Sequence, residues 1–148
     1  MSNLVLYTNP MSRAIAIEWM LAELNIDCER KVLEYGTSMK SEEYLRINPF
    51  GKVPTLVDGD VAIHETGAIC AYLADKFADR NLAPALNDPK RGLYFCLLFM
   101  AAGPLEAAIT KQVLGLNITP EQKKFVGYGS VQEVLNAVEQ KLENAGPY

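Results

Sequence analysis

The sequence predicts an α/β domain followed by a part that contains only helices. Three observations lead to this prediction: a strand–helix–strand pattern over residues 3–34, a hairpin that leads into a helix over residues 55–77, and helical patterning after residue 90. Pro, Asn and Asp are frequent between the two parts. We therefore expect a first domain over residues 1–78, a linker over 79–89 and a helical part over 90–148.

The first half of the α/β domain is predicted to be a strand, a helix and a second strand. Residues 3–8 (NLVLYT) are an unbroken β-prone run, which is typical of a strand buried on both faces. Residues 12–24 (SRAIAIEWMLAEL) carry apolar residues at helical spacing, and Ser12 stands where an N-cap is expected. Residues 28–34 (CERKVLE) then predict a second strand, which completes a βαβ unit.

The second half of this domain is predicted to be a short helix, a hairpin and a longer helix. The segment after Tyr35 is polar, contains one short helix and ends at Asn48-Pro49. Residues 55–58 and 61–64 are two short strands around Gly59-Asp60, which is a hairpin signal. With the helix over residues 65–77, the order βαβ, irregular helix, ββα is that of the thioredoxin-like fold, a mixed four-stranded sheet with helices on both faces.

Two long helices are predicted after the linker. The first runs over about residues 90–116 with a kink at Gly103-Pro104, and the second begins at Thr119, before a proline, and continues over residues 119–144. The most apolar stretch, residues 93–103, is shorter than the roughly 20 residues that span a bilayer. We therefore expect a buried helix of a soluble protein and no membrane partner.

Composition argues against several classes of function. The chain has 148 residues, 14 basic and 18 acidic, for a net charge of −4, and no basic stripe of the kind that binds nucleic acid. One histidine, three cysteines and no CxxC motif make a metal site unexpected. The N-terminus lacks the basic region of a secretory signal. The cysteines, of which Cys70 and Cys96 fall on apolar helical stretches, indicate a reducing, cytoplasmic location.

Two dipeptides are candidate ligand-binding features. Val53-Pro54 directly precedes a predicted strand, and a cis proline there would turn the backbone of Val53 toward an extended peptide. Glu65-Thr66 opens a helix, where free N–H groups bind a carboxylate and the acidic side chain binds an ammonium group. An ordinary trans proline and a plain N-cap region are the structural alternatives.

The third candidate is Ser12, which lies between the first strand and the first helix. A thiolate near this helix end would be stabilised by the helix dipole and by the serine hydroxyl. A simple helix cap is the structural alternative. The thioredoxin-like order brings Ser12, Val53-Pro54 and Glu65-Thr66 to one edge of the sheet, so their joint occurrence is much more specific than any one of them.

These features resemble the glutathione transferases. The stretch over residues 44–77 (YLRINPFGKVPTLVDGDVAIHETGAICAYLADKF) is similar to the glutathione-site signature of that family, and the opening LYTNPMSRAIAIEWMLAEL is similar to its bacterial members. The helices after the linker resemble the first two of the family's helical domain. The resemblance covers essentially the whole chain.

The resemblance implies a role for each candidate residue. The catalytic residue would be Ser12, as in the serine-type classes, and its hydroxyl would stabilise the glutathione thiolate; Tyr7 and Asn9 are weaker candidates for that role. The glutathione-binding residues would be Lys40 and Lys52 for the glycine carboxylate, Val53 and Pro54 for the cysteinyl backbone, and Glu65 and Thr66 for the γ-glutamyl group. Tyr94, Leu98 and Phe99 would line the pocket for the electrophile. His64 is expected to be a packed or edge histidine.

The implied activity is conjugation of the thiolate of glutathione to hydrophobic electrophiles, a detoxification reaction of a cytoplasmic homodimer. Glutathione would be the co-substrate, without a metal. The given sequence reaches Tyr148 before the later helices of the family's helical domain would begin. We therefore expect a truncated helical domain, which leaves a non-catalytic glutathione-binding or interaction module as the alternative. A thiol-disulfide oxidoreductase is a distant third possibility, because no cysteine lies near Ser12.

Overall fold

The computed structural model describes residues 4–143. Its first compact unit, Met1–Ala83, contains a four-stranded mixed sheet in the order β2-β1-β3-β4. The strands are β1 (Leu4–Thr8), β2 (Glu29–Val32), β3 (Thr55–Asp58) and β4 (Val61–His64), and the helices of this unit are α1 (Ile15–Leu24), α2 (Glu42–Ile47) and α3 (Thr66–Lys76). This is the thioredoxin-like arrangement that the sequence predicts.

The sheet is built around β1. This strand pairs in parallel with β2 and antiparallel with β3, and β3 forms the predicted hairpin with β4. Leu4 and Leu6 of β1 face the core, which they form with Ile17 of α1 and Ile69 of α3, each at most 2% exposed. Burial of such side chains contributes about 1.5–3 kcal/mol each. Since residues alternate along a strand, Tyr7 faces the other side of the sheet, where its ring contacts α2.

The first helix begins later than predicted. Residues 10–14 form turns, Ala14 occupies the N-cap position, and α1 starts at Ile15 rather than at residue 12. The hydroxyl of Ser12 nevertheless accepts a hydrogen bond from the backbone N–H of Ala14 at 3.1 Å. Ser12 therefore stabilises the turn that leads into the helix, from a position before the helix itself.

The second compact unit, Pro84–Tyr148, has only helices as regular elements over its described residues, joined by turns and irregular segments. It contains α4 (Arg91–Met100), α5 (Glu106–Val113) and α6 (Val131–Glu143), with a π-helical segment at Ala101–Leu105 that joins α4 to α5. This segment contains Pro104, which cannot donate a backbone hydrogen bond, and it lies at the predicted kink.

The prediction of a helix from Thr119 is wrong. Thr119 and Gln122 do form a reciprocal capping pair, but only a short 3-10 turn follows, and α6 begins at Val131. Gly129 adopts a φ of +61°, which is incompatible with continuation of the helix. The hydroxyl of Ser130 accepts from the N–H of Glu133 and caps α6 instead.

The apolar helical run of the second unit is longer than the sequence analysis assumed. It extends over Arg91–Val113, 23 residues, with a mean hydropathy of 1.6 in its most apolar window. By length and composition alone such a helix could cross a membrane. The length argument against a membrane span is therefore wrong. The expectation of a buried helix is wrong too, because only 6% of that window is buried. The absence of a membrane partner stays a prediction.

Candidate functional site

The candidate residues meet at one edge of the sheet because of strand register. Tyr7, near the end of β1, pairs with Thr55 at the start of β3, and Thr55 pairs with His64 at the end of β4. The turn that contains Ser12 follows β1, Pro54 precedes β3, and Glu65 follows β4. All three predicted features therefore lie at this edge.

The Val53-Pro54 peptide bond is cis, and a buried polar network fixes the backbone just before it. The Tyr44 hydroxyl donates to the carbonyl oxygen of Lys52. The Asn48 side chain donates to the same carbonyl at 3.0 Å and to Thr55 Oγ1 at 2.9 Å. Since buried polar groups are stabilising only when they are paired, these bonds hold the segment from Lys52 to Thr55 in one conformation.

The network consists of Tyr44, Asn48 and Thr55, which are at most 2% exposed, and sequence reasoning missed all three as site residues. Burial raises the pKa of the Tyr44 hydroxyl, so the group remains protonated and able to donate. Local sequence sets the two ends of α2 and so places Tyr44 and Asn48. Ser41 caps the helix by accepting from the N–H of Tyr44, and the helix ends at Ile47, just before Asn48-Pro49. The sequence shows only a Tyr and an Asn four residues apart, directly before Pro49, and this pattern does not reveal their contact with Thr55.

Glu65 and Thr66 open α3 as predicted. Among residues 4–143 no side chain caps this helix, so its first N–H groups have no side-chain partner there. Glu65 has a φ of +73°, an unusual conformation for a residue other than glycine, and its side chain is 75% exposed. Strain of this kind is concentrated at functional sites. The arrangement presents a carboxylate and a helix N-terminus side by side, which suits a ligand that carries both an ammonium and a carboxylate group.

The Ser12 hydroxyl is half-buried and already engaged. Ser12 Oγ donates to the carbonyl of Asn9 at 2.7 Å and accepts from the N–H of Ala14. Donation to a ligand sulfur therefore requires the hydroxyl proton to rotate away from Asn9, at a cost of about 0.5–1.5 kcal/mol for the lost bond. A bond to a thiolate offsets this cost, because hydrogen bonds to charged acceptors are about twice as strong.

The two weaker candidates for thiol activation have other contacts. The Tyr7 ring lies 5.2 Å from the Tyr44 ring, on the α2 side of the sheet, and Lys31 Nζ lies 5.5 Å from its centroid. The Asn9 side chain is 5% exposed; it donates to the carbonyl of Leu33 and accepts from the N–H of Met11. These bonds assign Asn9 a structural role, in which it ties the turn after β1 to the end of β2.

The two lysine candidates adjoin the tight turn over residues 48–51, to which Lys40 is bonded and which Lys52 follows in the chain. Lys40 Nζ donates to the carbonyls of Phe50 and Gly51 at 2.9 and 2.8 Å, so two of its three N–H groups hold this turn. Gly51 has a φ of +56°, and a Cβ there would lie 2.6 Å from the carbonyl of Met39. The Lys52 side chain is exposed beside the cis proline.

A family model described as "Glutathione S-transferase, N-terminal domain" matches residues 2–75, half of the chain. The chain belongs to the glutathione S-transferase family. Glutathione S-transferase D7 of Drosophila melanogaster is 37% identical over 115 residues, which cover 75% of this chain and 51% of the relative. The chain thus spans about half the length of this relative.

Solved structures of the family agree with the fold. A glutathione transferase from Methylococcus capsulatus has a TM-score of 0.73 at 28% identity, and the match covers 98% of this chain and 72% of the other. A sphingomonad glutathione S-transferase, solved in complex with glutathione, has a TM-score of 0.72 at 27% identity, covering 94% and 70%. Membership of the family is therefore shown by sequence and agrees with the solved structures. The serine-type and bacterial assignments and the truncation stay predictions.

The three residues predicted to line an electrophile pocket lie on α4, in the second unit. Tyr94 and Leu98 are half-buried and one helical turn apart, whereas Phe99 is 73% exposed. Arg91 lies 5.8 Å from the Tyr94 ring, which places a cation at the start of this helix. Their role toward an electrophile stays a prediction.

The cysteines of this family member are free thiols. Cys28 is buried, and Cys70 and Cys96 are half-buried. Burial raises the pKa of both Cys28 and Cys70, which disfavours the reactive thiolate at neutral pH. No cysteine lies in the turn that contains Ser12. Thiol chemistry at the site would therefore have to come from a bound ligand.

Proposed function

We propose that this chain binds glutathione at the sheet edge formed by Val53-Pro54, Glu65-Thr66 and the Ser12 turn, and that it promotes conjugation of the bound thiolate to hydrophobic electrophiles. The convergence of these three features carries the proposal. Each feature has a plain structural explanation when taken alone. Together they offer an extended-peptide acceptor, a binding site for an α-amino acid head group and a hydroxyl donor on one edge.

The tripeptide is bound in three parts. The backbone of its cysteinyl residue pairs with the backbone of Val53, in the manner of an added strand. Its γ-glutamyl ammonium binds the Glu65 carboxylate, and the neighbouring carboxylate binds Thr66 and the N-terminus of α3. The glycine carboxylate lies toward Lys52 and the third N–H of Lys40.

Ser12 acts on the sulfur. Its hydroxyl proton turns from the Asn9 carbonyl to the glutathione sulfur and stabilises the thiolate, while the thiol proton leaves to solvent. The thiolate then attacks an electrophilic carbon, a sulfur–carbon bond forms, and the electrophile either expels a leaving group or accepts a proton. The enzyme forms no covalent intermediate.

The remaining proposals concern the whole protein. We infer that Tyr94, Leu98 and Phe99 contribute to an apolar electrophile site, because α4 carries apolar residues on several sides. We also infer a cytoplasmic homodimer, on the basis of free cysteines and exposed apolar side chains such as Phe50 and Phe99. Sedimentation of the purified chain tests the oligomeric state.

A conjugation assay with a nitroaryl halide and glutathione tests the proposed catalytic role. Ser12→Ala is expected to lower kcat at least tenfold at neutral pH, because hydrogen-bond donors to developing or stabilised anions contribute this much or more. Ser130→Ala is the matched control, since it also removes a serine hydroxyl that accepts from a backbone N–H, here that of Glu133 in the second unit. Equal activity of wild type and Ser12→Ala would contradict the role of Ser12.

A further inference from the structure

His64 stands between the two halves of the proposed glutathione site. It is the last residue of β4, it pairs across the hairpin with Thr55, which follows the cis proline, and it directly precedes Glu65. Its ring packs against Phe50 in an edge-to-face arrangement, with centroids 5.8 Å apart. The imidazole is therefore held in a defined place beside the carboxylate of Glu65.

One nitrogen of this imidazole is unpaired. Nδ1 of His64 is inaccessible to solvent, and within residues 4–143 it has no hydrogen-bond partner. A buried polar atom of this kind is rare and calls for an explanation, because it has lost its contact with water without gaining another partner. Oε1 of Glu65 lies 3.7 Å from this nitrogen, which is too far for a hydrogen bond.

The Glu65 carboxylate can provide the missing partner when a ligand is bound. In the structure this side chain is 75% exposed, so water satisfies it. A ligand ammonium that binds one carboxylate oxygen displaces part of that water. The other oxygen then has fewer water donors, so a hydrogen bond from a nearby protein donor stabilises it more. A movement of about 1 Å brings Nδ1 and Oε1 to hydrogen-bond distance.

We propose that His64 is a positioning residue for glutathione, whose Nδ1–H donates to the Glu65 carboxylate once that carboxylate binds the γ-glutamyl ammonium. This inference rests on the proposed glutathione site. A donation from Nδ1–H to a carboxylate also fixes the histidine tautomer and the ring orientation. The hydrogen bond would fix the direction of the Glu65 carboxylate toward the ligand.

Calorimetric titration of glutathione into the full chain tests the inference with three variants. His64→Ala is expected to weaken glutathione binding about tenfold, the value of a hydrogen bond to a charged group. His64→Asn restores most of the affinity, because its amide nitrogen occupies the place of Nδ1. His64→Gln places its amide near Nε2 and does not restore it. Equal affinities of His64→Asn and His64→Gln would overturn the proposal.

A double-variant cycle separates positioning from a general structural effect. In a Glu65→Ala background, His64→Ala is expected to cause no further loss of affinity, because the histidine acts through that carboxylate. The same tenfold loss in both backgrounds overturns the inference. If wild type binds glutathione and His64→Ala binds it equally well, the inference fails while the proposed function stands; if wild type does not bind, the proposed function fails.

The chain offers a direct spectroscopic readout. His64 is its single histidine, so one set of imidazole nitrogen signals in an NMR spectrum of the ¹⁵N-labelled chain reports on this residue alone. Glutathione is expected to shift the Nδ1 signal to that of a protonated donor in wild type and to leave it unchanged in Glu65→Ala. A wild-type Nδ1 signal that does not respond to saturating glutathione contradicts the inference.

Discussion

The substitution Tyr44→Phe tests the buried network that fixes the cis-proline segment. The hydroxyl that it removes donates to the carbonyl of Lys52 and lies 2.8 Å from Thr55 Oγ1. Neither partner is left unpaired, since Asn48 still donates to both of them. The variant therefore loses two buried hydrogen bonds without creating an isolated polar group.

The expected cost follows from these contacts. Each buried hydrogen bond contributes about 0.5–1.5 kcal/mol net, so the free energy of unfolding should fall by about 2 kcal/mol. For a chain of this size that corresponds to a decrease in Tm of about 4–8 °C. The ring itself stays, so its contact with Tyr7 and the packing of α2 are retained.

Urea denaturation followed by far-UV circular dichroism measures this loss. Tyr35→Phe is the matched control, because Tyr35 is 58% exposed and its hydroxyl donates to Met11 O at the surface. This control should change stability by less than about 0.5 kcal/mol. The reasoning is refuted if Tyr44→Phe and Tyr35→Phe are equally stable. We also expect Tyr44→Phe to weaken glutathione binding, because the backbone next to Val53 is less firmly held.

Three further predictions concern stability and thiol reactivity. A hydrogen bond from Lys76 lowers the pKa of Asp58, so Asp58→Asn should destabilise the fold at pH 7. In denaturation curves the difference in stability between wild type and variant should vanish as the pH falls below about 4, where the carboxylate becomes protonated. A difference that stays constant with pH would contradict this. Burial raises the pKa of Cys70, so a thiol reagent should label it slowly at pH 7 and quickly only after unfolding; rapid native labelling would contradict this. Gly51→Ala should cost more stability than Gly59→Ala, since both have positive φ but only Gly51 lacks space, and equal losses would exclude the clash.

The fold of the first unit could be predicted largely from local patterns. The strands at residues 55–58 and 61–64 have the predicted bounds. The hairpin signal at Gly59-Asp60 determines where the first of them ends and the second begins. The start of the first helix was less well predicted, since Ser12 accepts from Ala14 within a turn that precedes the helix. The helix expected at Thr119 does not form, although its capping pair does, because the cap is only a local signal.

The sequence predicts the parts of the candidate site that consist of residues adjacent in the chain. Glu65-Thr66 and Val53-Pro54 are recognisable as dipeptides, and both lie at the predicted sheet edge. The network of Tyr44, Asn48 and Thr55 depends on contacts between α2 and β3 that no single segment reveals. Likewise, the unpaired Nδ1 of His64 follows from burial in the folded chain and has no signal in the sequence.

Calorimetric titration of glutathione into the 148-residue chain tests the central claim most directly. We predict saturable binding at one site, an affinity at least tenfold lower in Glu65→Ala, and no change in Glu42→Ala, whose carboxylate is 92% exposed on α2. Absence of saturable binding by wild type, or equal affinity of wild type and Glu65→Ala, would contradict the account.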